Sequence, residues 1–271
     1  MNNHISTNTT VADLVDSWLE QLRADGRLES TTINEYERVL RKLVVPELGA
    51  VHLHDLTTDR INAILADLGT RSVNRQRKAK VVTGAMLDDA VRQGALGSNP
   101  VRGSMSVSRA KTEARVLTLA DLETARTAVR AWMTKDRPGP KASDDLADII
   151  DLMLATGARI GEVLSVRWSD VDLDAKTVEI NATIKTETGK GTYRESLAAA
   201  RTVALPELAV AVLRRRGGGA RASALDAVFP TRNGTWQQVN NVERRWRQIR
   251  QEAGLEWVTP HAFRSHAEPT A

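Results

Sequence analysis

Apolar residues return every three or four positions through most of the first hundred residues. Val11, Leu14, Val15, Trp18, Leu19 and Leu22 predict a helix that Gly26 stops. Ser30 opens a second, through Val39, Leu40 and Leu43, ending near Pro46 and Gly49. Thr58 is placed to cap a third, with Ile61, Ile64, Leu65 and Leu68 on one face before Gly69. A fourth runs from about Ser72 through Val81, Met86, Leu87 and Val91 to Gly94. These four helices predict a small all-α domain over residues 9–97, behind a disordered N terminus at 1–8. The turn-rich GSNPVRGS closes it, and the polar stretch 98–115 reads as a basic linker.

From Val116 the pattern changes. LTLADLETARTAVRAW and DDLADIIDLMLATG each predict a helix, and KTVEI and RTVAL predict short strands around a charged, glycine-bearing insert. RRRGGGARAS reads as a flexible loop, VFPTRNG as a strand ending in a turn, and VERRWRQIRQEAG as a further helix. Residues 116–271 thus form a mixed domain, and the whole chain is mostly α with a small β-sheet.

Composition narrows the class. Apolar residues make up 41% and charged residues 27%, the balance of a globular protein and not of a disordered one. With no cysteine there is no disulfide scaffold, thiolate zinc site or cysteine nucleophile. No signal peptide or membrane-spanning run is legible, so a cytoplasmic protein that touches no membrane is expected. The net charge of +4 conceals an asymmetry. Residues 1–70 carry 6 basic and 11 acidic side chains, whereas residues 71–115 carry 10 basic and 3 acidic. Such a local excess is the electrostatic mark of a polyanion binder.

Three groups of residues could carry chemistry. Arg71, Arg75 and Lys78, at i, i+4 and i+7, would share one helix face with Arg77 and Lys80 beside it. Their mutual repulsion becomes attraction on a phosphate backbone, though a solvated helix face has the same pattern. In ATGARIGEVL, Arg159 starts a helix among small neighbours and Glu162 follows one turn later. A guanidinium there is a bidentate donor for phosphate oxygens or one half of a surface ion pair. In TPHAFR, His261 and Arg264 lie one turn apart after Pro260. That pair can move a proton beside a fixed cation, hold a structural position, or belong to a metal site, although no carboxylate partner repeats nearby.

Taken in order, ATGARIGEVLSVRWSDVDL, TVEI, GKG, RTVALPE, VFPTRNG and TPHAFR resemble the tyrosine recombinase, or phage integrase, family, most closely the integrases of actinobacterial phages and mobile elements. The resemblance covers most of the chain. It implies an N-terminal SAM-like core-site DNA-binding domain followed by an α+β integrase catalytic domain. It further implies double-stranded DNA, at an attachment or core-type site, as the partner, with no metal or cofactor. A nucleoid-associated protein is expected, one that self-associates or pairs with an intact integrase. In the family a tyrosine attacks the scissile phosphodiester to form a 3′-phosphotyrosyl link. By resemblance Arg159 and Arg264 would clamp the phosphate, His261 would serve as acid/base partner, and a hairpin lysine, Lys190 in TGKG, would protonate the leaving 5′ oxygen.

The chain departs from the family twice. Where relatives carry Lys-Thr before the Arg-Thr-Val-Ala-Leu strand, this sequence reads Glu195-Ser-Leu-Ala-Ala-Ala-Arg201. The nucleophile, some tens of residues beyond the His-x-x-Arg box in relatives, is expected to be missing through truncation. Tyr36 and Tyr193 are the two tyrosines present, and both precede that box. A recombination protein that is cleavage-defective alone is therefore expected. The alternatives are a DNA-binding regulator of an intact integrase, or a decayed gene product.

Overall fold

The computed structural model describes residues 5–107, 115–135, 145–187, 189–217 and 223–265, which fall into two compact units, 1–112 and 113–271. The first unit is helical: α1 (Val11–Asp25), α2 (Ser30–Val39), α3 (Val45–Leu48), α4 (Thr58–Arg71) and α5 (Val73–Arg92). The Thr10 hydroxyl accepts from Asp13 N at 3.2 Å and so caps α1, whose other end turns at Gly26 with φ +62°. A π-turn at Leu40–Val44 joins α2 to α3, so the helical path continues through Pro46 to Leu48. Thr57, rather than Thr58, caps α4, and α2 begins at Ser30 with Glu29, not Ser30, in the capping position and no side-chain cap bond. The Thr58 hydroxyl instead donates to Pro100 O at 3.1 Å.

Leu14, Leu19, Leu40, Leu53, Ile61, Leu65, Met86 and Leu87 meet in the core of this unit. The segment 5–8, expected to be disordered, is held in place: Ile5 is buried, and His54 N donates to Thr7 O at 3.0 Å. The first part of the expected linker is also packed. Asn99 donates to Gly84 O at 2.9 Å and to Asp88 at 2.7 Å, and Val101 is buried against α5. Residues 108–114 of that linker lie outside the described residues.

The second unit contains α6 (Leu119–Thr134), α7 (Asp145–Thr156), α8 (Ile160–Leu164), α9 (Glu207–Gly217), α10 (Val239–Glu252) and α11 (Pro260–Ser265). Its antiparallel sheet has the order β1 (Val171–Asp172), β2 (Thr177–Glu187), β3 (Gly191–Ala204). A capping box of Thr118 and Asp121 starts α6, worth about 1 kcal/mol. The expected strands KTVEI and RTVAL are the near ends of a much longer hairpin, so the charged insert is mostly strand. The register slips within it: β2 advances from Ile180 to Ala182 while β3 advances from Ser196 to Arg201. Three extra residues thus bulge from β3 within Leu197–Ala200.

The expectation of a loop at RRRGGGARAS is corrected in its first half. Arg214, Arg215 and Arg216 form the last turn of α9, and 218–222 lie outside the described residues. The cause is a buried network. Arg216 donates to Asp145 at 2.8 Å, to Asp148 at 2.9 Å and to Val228 O at 3.2 Å, and Arg215 also bonds Asp148. Gln237 reaches Asp145 at 2.8 Å and accepts from Arg245 at 2.7 Å. Burial pushes the Asp148 carboxyl up despite the Arg216 bond. Among the described residues no helix is long and apolar enough to cross a membrane.

Candidate functional site

Helix α7 ends at Gly157, whose φ of +61° breaks the helical path, and Arg159 in extended conformation begins α8. Glu162 reaches back from the next turn. Its carboxylate accepts from the Arg159 backbone N–H at 3.0 Å and from Arg159 Nη1 at 3.1 Å. A third bond comes from Arg201 Nη2 on β3, at 2.6 Å. Burial alone would raise the Glu162 carboxyl, but the Arg201 and Arg159 bonds outweigh it and hold it below the usual carboxylate range. Glu162 is 2% exposed, whereas the Arg159 side chain is 67% exposed, so a fixed buried anion holds an accessible cation. Gly161 allows this approach: a Cβ there would sit 2.7 Å from Thr183 Oγ1 on β2.

His261 and Arg264 lie on α11, which packs on α7, the helix that leads into Arg159. Phe263 anchors α11 by packing at 5.2 Å, ring centre to ring centre, on Trp246, whose indole N–H donates to Val258 O at 2.7 Å. With Phe263 buried, His261 is left exposed and Arg264 half-buried. Lys190 stands at the hairpin tip, 3.0 Å from Glu187 and 5.8 Å from the centre of the Tyr193 ring. The Tyr193 hydroxyl donates to the same Glu187, which pushes its pKa up to about 12. Among the described residues, no group of three or more His, Asp or Glu side chains could hold a metal ion.

The expected cationic face is rearranged. Arg71 is the last residue of α4 and pairs with Asp67 at 3.0 Å, so it does not share a helix with Arg75 and Lys78. The cause is Ser72: extended, with φ −172° and ψ 121°, it ends α4 and caps α5 from its hydroxyl. Lys78 is drawn to Glu35 at 2.6 Å, and Lys80 donates to the carbonyls of Ser104 and Met105. Arg75 and Arg77 remain exposed on α5.

Two further features stand outside the groups singled out in the sequence. One is Arg201, whose reach to Glu162 depends on a bulge that strand periodicity does not reveal. The other is α10, where Val242, Trp246 and Ile249 are buried while Arg244 and Arg247 are exposed. Its three-and-four apolar spacing is legible in the sequence, whereas which of its arginines stay exposed depends on what the helix packs against.

Residues 128–268, more than half of the chain, match the phage integrase family, and residues 10–68 match the phage integrase N-terminal SAM-like domain. The chain is 28% identical to an integrase of Streptomyces ambofaciens, over 95% of this chain and 68% of that protein. It is 26% identical to the tyrosine recombinase XerC of Xylella fastidiosa, over 93% and 80%. Its fold is similar to the Tn1549 transposon integrase in complex with transposon right end DNA, with TM-score 0.73 and 20% identity over 95% of this chain and 85% of that one. A lambda integrase dimer bound to a COC′ core site matches with TM-score 0.69 and 16% identity, over 96% and 69%.

Proposed function

The chain belongs to the phage integrase family, and from that premise we propose that it binds double-stranded DNA and clamps the phosphate of a core-type site with Arg159 and Arg264. The observation that carries this reading is the buried Glu162 carboxylate, which fixes an accessible guanidinium at the start of α8. Arg159 commits Nη1 to Glu162, and its fork matches the geometry of two phosphate oxygens. His261, one turn before Arg264, is the proton-transfer partner. Lys190 is the hairpin lysine for the leaving 5′ oxygen, and it must exchange Glu187 for DNA to act.

Affinity comes from cations off the cleavage position: Arg75 and Arg77 on α5, and Arg244 and Arg247 on α10. Lys78, Lys80 and Arg71 contribute to the same field, each already tied to a neighbour. Two copies, or one copy beside an intact integrase, would meet on such a site.

Neither tyrosine in these 271 residues suits nucleophilic attack. Tyr36 stacks on Trp18 at 5.8 Å in the helical unit. Tyr193 donates its proton to a carboxylate, and a phenol so held is harder to ionise than a free one. We therefore assign these 271 residues binding and phosphate recognition, with neither of their tyrosines as nucleophile. The test is incubation with a nicked suicide substrate followed by a denaturing gel. A DNA shift without a covalent adduct is expected, and an adduct lost on Tyr193→Phe would overturn the assignment. Arg159→Lys should weaken binding to a core-type site despite its retained charge, because lysine cannot form the planar fork.

A further inference from the structure

Resting on the clamp proposed above, we infer that Arg201 is a positioning residue for Arg159, acting through the carboxylate that they share. Glu162 offers Oε1 to Arg159 Nη1 at 3.1 Å and Oε2 to Arg201 Nη2 at 2.6 Å. Arg159 spends its backbone N–H and Nη1 on that carboxylate, and Arg201 adds the third bond. Arg159 and Glu162 alone sum to zero charge and would offer an approaching anion little attraction. With Arg201 the three groups sum to +1, and the excess resides where Arg159 is accessible. Over separations of a few ångströms in a partly shielded site, one unit charge decides the sign of the local field.

The placement of Arg201 has its own structural cause. The bulge within Leu197–Ala200 resets the β3 register, so that Arg201 pairs with Ile180 and reaches back to α8. Arg201 remains 41% exposed beside a carboxylate that is 2% exposed. It therefore neutralises Glu162 from the strand side, leaving the helix side to Arg159.

The test uses the 271-residue chain and inorganic phosphate at low ionic strength, read on the Arg264 side-chain N–H resonance, which every variant retains. Arg201→Gln should weaken phosphate binding about tenfold, and Arg201→Lys should stay within about twofold of the parent. Glu162→Gln added to Arg201→Gln should recover most of the loss, because Arg159 then stands uncancelled. Glu162→Gln alone, whose amide oxygen still accepts from Arg159 while the negative charge is gone, should bind severalfold tighter than the parent, which keeps the test decisive if Arg201→Gln does not fold. A double variant as weak as Arg201→Gln would make Arg201 a direct phosphate ligand and overturn the positioning role. Parent-like binding by Arg201→Gln, or weakened binding by Glu162→Gln, would also overturn it. The clamp fails separately if phosphate leaves the parent's Arg264 resonance unmoved, or if Arg159→Gln titrates like the parent.

Discussion

A methyl group on Gly161 would lie 2.7 Å from Thr183 Oγ1 and 3.5 Å from Ile184 O, and neither neighbour is the free end of a long side chain. Gly161→Ala should therefore push α8 from β2 and destabilise the chain by about 1–3 kcal/mol, read as a fall in the thermal midpoint. Arg159, one residue before the displaced helix, should lose phosphate affinity in the same variant. A second residue-scale expectation concerns acid. Hydrogen bonds from Arg38 and Lys78 hold Glu35 at about 2. A carboxyl depressed on folding stabilises above its unfolded value near 4.5 and loses that stabilisation as pH falls toward 2. Denaturant melts between pH 5 and pH 2 should lose part of their pH dependence in Glu35→Gln. At this scale the sequence is legible where spacing alone decides, as with Arg159 and Glu162 one turn apart or His261 and Arg264. It is not legible where a tertiary partner decides: Lys78 meets Glu35 from another helix, and Arg201 meets Glu162 across a bulged strand.

Helix α5 shows how an element redistributes what a linear count pools. Ten basic side chains fall within 71–115, yet Arg71 closes α4, Lys78 bonds α2, and Lys80 bonds the chain beyond α5. The exposed pair Arg75 and Arg77 should carry the salt-sensitive part of DNA binding on this helix. Replacing both with Gln should flatten the log–log salt dependence by about one unit for each phosphate that is no longer neutralised. Arg244→Gln with Arg247→Gln should do the same for α10, and an unchanged slope in a titration would remove that helix from the DNA face. Helix positions are readable because apolar residues recur with the helical period. Helix ends are less so: the expected stop at Gly69 moves to Arg71, because the extended backbone of Ser72, not the glycine, breaks the path. Strand lengths are the least readable, since beyond KTVEI the buried apolar positions of β2 thin to Ala182 and Ile184, while the facing part of β3 is polar and half-exposed.

The second unit as a whole depends on two buried aspartates. Asp145 and Asp148 at the start of α7 are neutralised by side chains from α9 and bonded from the segment before α10. Arg216→Met should cost about 3–5 kcal/mol, measured by denaturant unfolding, because it removes the buried cation that Asp145 and Asp148 share. The first unit should melt unchanged in that variant, since its core is a separate set of side chains. The same network also sets an order of events during synthesis. Asp145 waits 71 residues for Arg216 and 92 for Gln237. At the ribosome's pace of about 5–20 residues per second, α7 stands for several seconds before Arg216 and Gln237 have been made. The helical unit that precedes it can be complete by then, so one unit stands folded on the ribosome while the other is still assembling.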